Sequence, residues 1–541
     1  FLLQNTITYT PKFGAEDEHS LSVLLGQSME KTEAKITTVN SVSAAPTLSQ
    51  TVNWPKGNAI GSSNYTASTL MSYFSRLDYS FKQKYLLGAS IRTDGSSKFG
   101  KANRWGVFPS ISAGWNFHKE DIFSNISWLS SGKIRGSYGM SGTTWDNNYL
   151  ALGIMDGGEL DRYSSLLQIS YGGISGFTPT WFDGFKNDNL TWVKTTMGNI
   201  GVDLSLFRGK VEVIFDAYEK LTKGLLLSTA LPTTSGYNEV YRNAADVLNR
   251  GLEFTVSTNL NFGNSFSWNT NLNFAYNKNR VIRLPDGNAD IVKVSTSGQD
   301  FGSIVRTGTP LNGFFFYESQ GIYQAESQIP VDPKTGKRLV GLQNKKLEVG
   351  DRNFKDQNGD YRIDVADRVY SGDPNPKWTG GWTNDFIYKG FSLNLVSTFV
   401  IGRSIVNTVL LERLRLGKGF AGSSLPNFDN YSIWEKSGDN ARYPTLNPWG
   451  SASQIVNYDS EYIEDGSYFK IKSATLSYTF NKRIIPRLPF ERVRVYCTAD
   501  NLVTFQKYSG PDAELVTIDG FDLSKGYPMR RMLLFGLSLS L

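Results

Sequence analysis

The segment RRMLLFGLSLSL runs from Arg530 to Leu541, and its reading decides the fold. Every second residue, Leu533, Phe535, Leu537, Leu539 and Leu541, is large and apolar, while Leu534, Gly536, Ser538 and Ser540 between them are mostly small or polar. Successive residues of a β-strand project to opposite sides, so this strand has one greasy face and one wet face. A greasy face suits either the core of a soluble sandwich or the lipid of an outer membrane. The rest of the chain separates these two.

The same period of two recurs. In FSWNTNLNFAY, Phe266, Trp268, Leu272, Phe274 and Tyr276 oppose Ser267, Asn269, Asn271 and Asn273. LEFTVSTNL, FSLNLVSTF and SISAGWNF alternate in the same way, the pattern of antiparallel strands with one wet face. About fifteen such strands can be placed by this rule. The connections between them alternate in length. Short ones include FKQKY, FRGK, FGNS and YKG, and long ones are expected at about 30–67, 143–189, 222–249, 281–376, 403–465 and 502–529. Soluble domains avoid many structureless loops of this size, whereas outer-membrane barrels have short periplasmic turns and long extracellular loops. The expected fold is therefore all-β: a transmembrane antiparallel β-barrel in the bacterial outer membrane, with the greasy face of Arg530–Leu541 against lipid.

Composition agrees. Hydrophobic residues make up 40% of the 541, and no run of 18 apolar residues is present, so no transmembrane helix is expected. Barrel strands need only about 9–11 residues with alternate apolar positions, which a mean hydropathy of −0.31 allows. Aromatics at 13% and 52 glycines suit strands with aromatic girdles. The 56 basic and 50 acidic residues are interspersed, which argues against a nucleic-acid partner. A single cysteine, Cys497, excludes an internal disulfide framework or a thiolate metal cluster, and two histidines, His19 and His118, exclude a polyhistidine site within the chain. No G-x-S-x-G, H-E-x-x-H or phosphate loop occurs, so no catalytic residues, no organic cofactor and no enzyme activity are expected. The competing reading is a surface glycan-binding or glycan-active β-protein, which would need a soluble closed core and a carboxylate pair in a cleft.

Fifteen is an odd number, while bacterial single-chain barrels usually have an even number of strands and both ends in the periplasm. Residue 1 falls inside a strand-like stretch, FLLQNTITYT. The expectation is that residues 1–541 are the C-terminal part of a larger barrel.

Several stretches resemble the SusC/RagA family of TonB-dependent outer-membrane transporters. They include RTDGSSKFGKANRWGVFPSISAGWNF (92–117), KIRGSYGMSG (133–142), NDNLTWVKTTMGNIGVDL (187–204) and NRGLEFTV (249–256). FKDQNGDYRIDVADRVYSGDPNPKWTGG (354–381) and ADNLVTFQKYSGPDAE (499–514) follow in family order. The resemblance implies a 22-stranded barrel, with a plug domain and a TonB box that this chain lacks. It implies active import of oligosaccharides, or of oligopeptides in some members. It also implies a SusD-like lipoprotein partner, energy from a TonB–ExbB–ExbD complex, and assembly as a dimer of SusC–SusD pairs.

The sharpest local motif is DQNGDYRIDVAD. Asp356, Asn358, Asp360, Asp364 and Asp367 take positions 1, 3, 5, 9 and 12 of an EF-hand-type calcium loop, with the Arg362 carbonyl at position 7. The expectation is a structural calcium ion. Tyr361 stands where that loop prefers glycine, and Asp367 is shorter than the usual glutamate. An acidic turn held by Asx hydrogen bonds is the other reading. Substrate contacts are expected at aromatics in the long loops, Trp145, Tyr163, Tyr171, Trp181 and Trp449, whose flat rings suit stacking on sugars; the alternative is packing within the loops.

Overall fold

A computed structural model of the chain describes residues 1–41, 59–152, 185–293, 302–416, 428–446, 458–481, 489–522 and 529–540. Residues 12, 15–17, 236, 238, 264 and 430 are excepted, and the pairs 155–156, 170–171, 174–175 and 178–179 are also described. Fifteen strands follow one another in chain order in one antiparallel sheet, from Leu2–Tyr9 at one edge to Met532–Ser540 at the other. No described helix is long and apolar enough to cross a membrane.

The register sorts the two faces as the alternation requires. Between Phe266–Arg283 and Trp378–Tyr388, Trp268 lies opposite Phe386 and Leu272 opposite Trp382, while Asn269 meets Asp385 and Asn271 meets Thr383. In the last strand Phe535 faces Cys497 and Leu537 faces Val495, with Gly536 opposite Tyr496 and Ser538 opposite Arg494. The apolar row covers no core: Leu533 is 68% and Phe535 76% exposed. A contiguous row of this kind requires an apolar solvent.

The short connections are tight turns of the hand that suits twisted strands. Lys82 and Gln83 have φ of 50° and 51°, and Phe207, Arg208 and Gly209 have 53°, 60° and 79°. Non-glycine residues tolerate this left-handed region because two long, fully paired strands fix each turn.

Two expected long loops prove to be mostly strand. His19–Ser41 and Ala59–Phe81 pair along their whole length, up to Ser41 opposite Ala59, so 30–67 is not a loop throughout. Likewise Val211–Ala230 and Glu239–Phe262 leave only 231–238 between them. The apolar alternation stops where the strands pass the lipid, but backbone pairing does not need it. Polar and β-branched cross-strand pairs suffice in water, as where Tyr65 donates to Glu33 Oε1 at 2.9 Å.

The chain divides into two compact units: residues 1–124, 133–200 and 219–247, and residues 125–132, 201–218 and 248–541. In the first, Phe99, Phe108 and Trp192 form a small core. In the second, the long connections build their own. Phe314, Phe316, Val406, Leu411, Leu414 and Tyr462 form one cluster, and Tyr317, Tyr323, Ile329, Leu339 and Ile363 another. A helix, Thr408–Leu416, joins the first cluster through Leu410, Leu411 and Leu414, and Asn407 Oδ1 caps it by accepting from Leu410 N at 2.9 Å.

Candidate functional site

On the polar face of the first unit, small residues leave a cavity of ≈450 Å3. Ser22, Asp78, Gly88, Ser112 and Ser137 stand directly opposite one another on five consecutive strands. A Cβ at Gly88 would lie 2.6 Å from Ser112 Oγ, so any larger residue there would turn the Ser112 hydroxyl aside and narrow the cavity. Arg76 and Asp78 pair at 2.7 Å, and Arg135 Nη1 donates to Asn199 Oδ1 at 3.3 Å. The lining offers hydroxyls, an amide and charges but no histidine. The lining therefore presents hydrogen-bonding groups beside the apolar side chains of Leu86 and Ala113.

In the second unit, charged contacts tie the connections 281–376, 403–465 and 502–529 together. Arg352 Nε and Asp459 Oδ2 pair at 2.8 Å with side-chain exposures of 2% and 1%. Burial pushes the Asp459 carboxyl above its ordinary range, and Arg352 opposes that shift. Burial likewise raises the Tyr462 phenol in the adjacent cluster. Arg368 stacks over the Tyr458 ring, 3.6 Å from its centroid. Lys470 is 1% exposed and reaches Asp512 and Glu514, each at 2.8 Å. By register Lys470 lies opposite Thr398 and Thr504, so the segment carrying Asp512 and Glu514 meets the polar side of those strands.

The acidic loop is held by its own backbone. Asp356 Oδ1 accepts from Gly359 N at 2.7 Å and Oδ2 from Tyr361 N at 2.9 Å. Asn358 and Asp360 each accept from the N–H two residues on, and so does Asp364. Asp367 is buried and accepts from Gln357 N at 2.9 Å and Asp364 N at 2.8 Å. Desolvation raises its carboxyl, and these N–H donors oppose the rise. Tyr361 takes φ 61°, the left-handed turn that the sequence pattern reserves for glycine. The Arg362 guanidinium lies 3.8 Å from Asp364. Among the described residues no group of three or more His, Cys, Asp or Glu is placed to hold a metal ion. The described loop is an acidic turn held by Asx hydrogen bonds, with Tyr361 making the sharp turn at position 6 of the calcium-loop pattern.

Of the aromatics expected to contact substrate, Trp145 is half-buried and packs edge-on against Phe99 at 4.7 Å. Tyr171 pairs through its backbone with Ile174. The Tyr171 side chain and Tyr163, Trp181 and Trp449 lie outside the described residues. The Arg352–Asp459 and Lys470–Asp512 pairs were not singled out by sequence reasoning, since their partners sit far apart in the chain and no spacing links them.

No protein-family model matches the chain. It is 31% identical over 523 residues to TonB-dependent receptor P3 of Formosa agariphila, covering 95% of this chain and 48% of that protein. It is 28% identical over 490 residues to TonB-dependent receptor SusC of Bacteroides thetaiotaomicron, covering 88% of this chain and 44% of that protein. The chain belongs to the SusC/RagA family of TonB-dependent receptors. Its fold is also that of the solved RagAB peptide transporter, matched with a TM-score of 0.77 at 22% identity over 99% of this chain and 55% of that one. The SusC/RagA-type chain spans about half the length of the curated relatives it matches. It is an outer-membrane β-barrel protein, and lipid is the apolar solvent that the exposed rows of Leu and Phe require.

Proposed function

We propose that this chain forms the strand-rich part of an active outer-membrane importer of nutrient oligomers, and that the cargo is an oligosaccharide. The observation that carries the reading is the two-faced sheet: an apolar row suited to lipid, and a polar face whose small residues leave a hydroxyl-lined cavity of ≈450 Å3. Family membership supports import energised through TonB–ExbB–ExbD and a SusD-like lipoprotein as partner, with the pair assembling as a dimer. In this reading the chain binds and guides cargo and catalyses no reaction.

The test is uptake by the native bacterium with and without the gene. Labelled oligosaccharides are expected to enter wild-type cells, to stay outside the deletion strain, and to stay outside wild-type cells treated with a protonophore. Uptake that persists after deletion would overturn the importer reading, and uptake that persists with the protonophore would make the protein a passive pore. Entry of labelled oligopeptides but not of oligosaccharides would transfer the reading to peptide import.

A further inference from the structure

The connection between strands Trp105–Trp115 and Leu129–Thr143 is built unlike the other short turns. It holds two single turns of 3-10 helix, Phe117–Lys119 and Asp121–Phe123. Its contacts run to the apolar face of the sheet. The Glu120 carboxylate accepts from Tyr85 Oη at 2.8 Å, from Lys84 Nζ at 3.0 Å and from Trp115 Nε1 at 3.3 Å. Tyr85 and Trp115 lie directly opposite each other, and they begin the exposed row that continues through Leu87, Ile91 and Ile111. Phe117 packs on Trp115 and Phe123, with ring centroids 5.9 and 5.1 Å apart. The segment is thus tied to the first residues of the exposed apolar row, and Ile122 within it is 84% exposed.

We propose that Phe117–Phe123 is a membrane foot, a surface whose partner is the headgroup–acyl boundary of the phospholipid leaflet at the short-turn end of the strands. Three features fit that partner. Ile122 is 84% exposed on a connection whose Phe117 packs on both Phe123 and Trp115, a residue of the exposed apolar row. Tyr85 and Trp115 are amphipathic rings whose polar tips point into the foot through Glu120, the arrangement that suits the interface. Lys84 pairs with Glu120, Lys119 Nζ donates to Gln83 Oε1 at 2.8 Å, and the charges that remain, Lys119 and Asp121, suit the headgroup layer rather than the acyl layer. An interfacial segment of this kind sits about 5–10 Å into the boundary.

The test uses the full-length protein in phosphatidylcholine vesicles. Ile122→Cys in a Cys497→Ser background is labelled with an environment-sensitive fluorophore, and Val331→Cys, an exposed position in the long connection 281–376, serves as the aqueous control. The label at 122 is expected to emit to the blue of the label at 331, to be quenched by lipids with a nitroxide near the headgroup, and to be shielded from iodide. Iodide quenching equal to that at 331 would overturn the proposal, and so would shielding from iodide without nitroxide quenching, which means a protein partner.

Discussion

Lys470→Met tests how the connection after strand Arg492–Gln506 is held. Lys470 is 1% exposed and bridges Asp512 and Glu514, which are 9% and 24% exposed. Methionine matches the stem of lysine but leaves two partly buried carboxylates without their cation. Removing one partner of a buried pair costs about 3–5 kcal/mol. The lower end applies here, because Glu514 keeps Lys472 at 2.5 Å. A loss of about 3 kcal/mol corresponds to roughly a hundredfold rise in local opening, since each 1.4 kcal/mol is tenfold. The amides to follow by hydrogen exchange are Ala513 N, bonded to Gln506 Oε1 at 2.9 Å, and Glu514 N, bonded to Asp512 Oδ1 at 2.9 Å. Their protection is expected to fall by about that factor while strand amides keep theirs. Arg306→Met, which breaks an exposed ion pair with Asp290, is the control and should cost about 0–1 kcal/mol. Acid provides a second readout. Burial works against the charged form of Glu514, but Lys470 and Lys472 prevail and hold its carboxyl below the ordinary range. Its contribution is then complete above the unfolded value of about 4.3 and is lost as pH falls through the folded value. Lys470→Met should flatten that acid limb. A fall in Ala513 protection of less than tenfold, with the acid limb unchanged, would refute the reasoning.

Other predictions address the faces, the packing and the acidic loop. Phe535→Lys puts a charge on the lipid face and should cost about 2–4 kcal/mol near the bilayer centre, whereas Ser538→Glu on the other face, opposite Arg494, should be nearly neutral in urea unfolding from vesicles. Equal effects would contradict the assignment of faces. Gly536→Val should destabilise the last strand by about 1–3 kcal/mol, because a Cβ there meets the Tyr496 ring at 2.1 Å. Adding Tyr496→Ala should recover most of that loss, as judged by heat-modifiable mobility in gels. Chelation with EGTA should leave the thermal unfolding of the protein unchanged if the Asx hydrogen bonds of Asp356, Asn358, Asp360, Asp364 and Asp367 by themselves hold the loop. A drop in melting temperature that calcium reverses would establish the calcium ion expected from the loop spacing.

These outcomes bear on how the molecule is built. The strands carry apolar and polar residues on opposite faces, so their stability in lipid depends on face and depth. The long connections of the second unit instead rely on apolar clusters and buried charge pairs of an ordinary kind. Substitutions in those connections should therefore be read by the rules of water-soluble domains.

Much of this was legible in the amino-acid order because the information is local. The period of two in Arg530–Leu541 and in FSWNTNLNFAY names the face of each residue, since a strand alternates whatever surrounds it. The turn at Lys82–Gln83 follows from the short gap between two such strands. The order of the residues did not reveal that His19–Ser41 and Ala59–Phe81 stay paired beyond the lipid, because there the apolar alternation ends while the backbone ladder continues. Nor could the spacing of DQNGDYRIDVAD show that Tyr361 makes the left-handed turn or that the loop's oxygens accept from its own N–H groups, since both depend on backbone dihedral angles. Only the tertiary structure joined Arg352 to Asp459 and Lys470 to Asp512, aligned Ser22, Asp78, Gly88, Ser112 and Ser137 into one row, and brought Glu120 beneath Tyr85 and Trp115. Each of these needs residues distant in sequence to meet, and the pairing register and the packing of the connections decide that, not the pattern along any one strand.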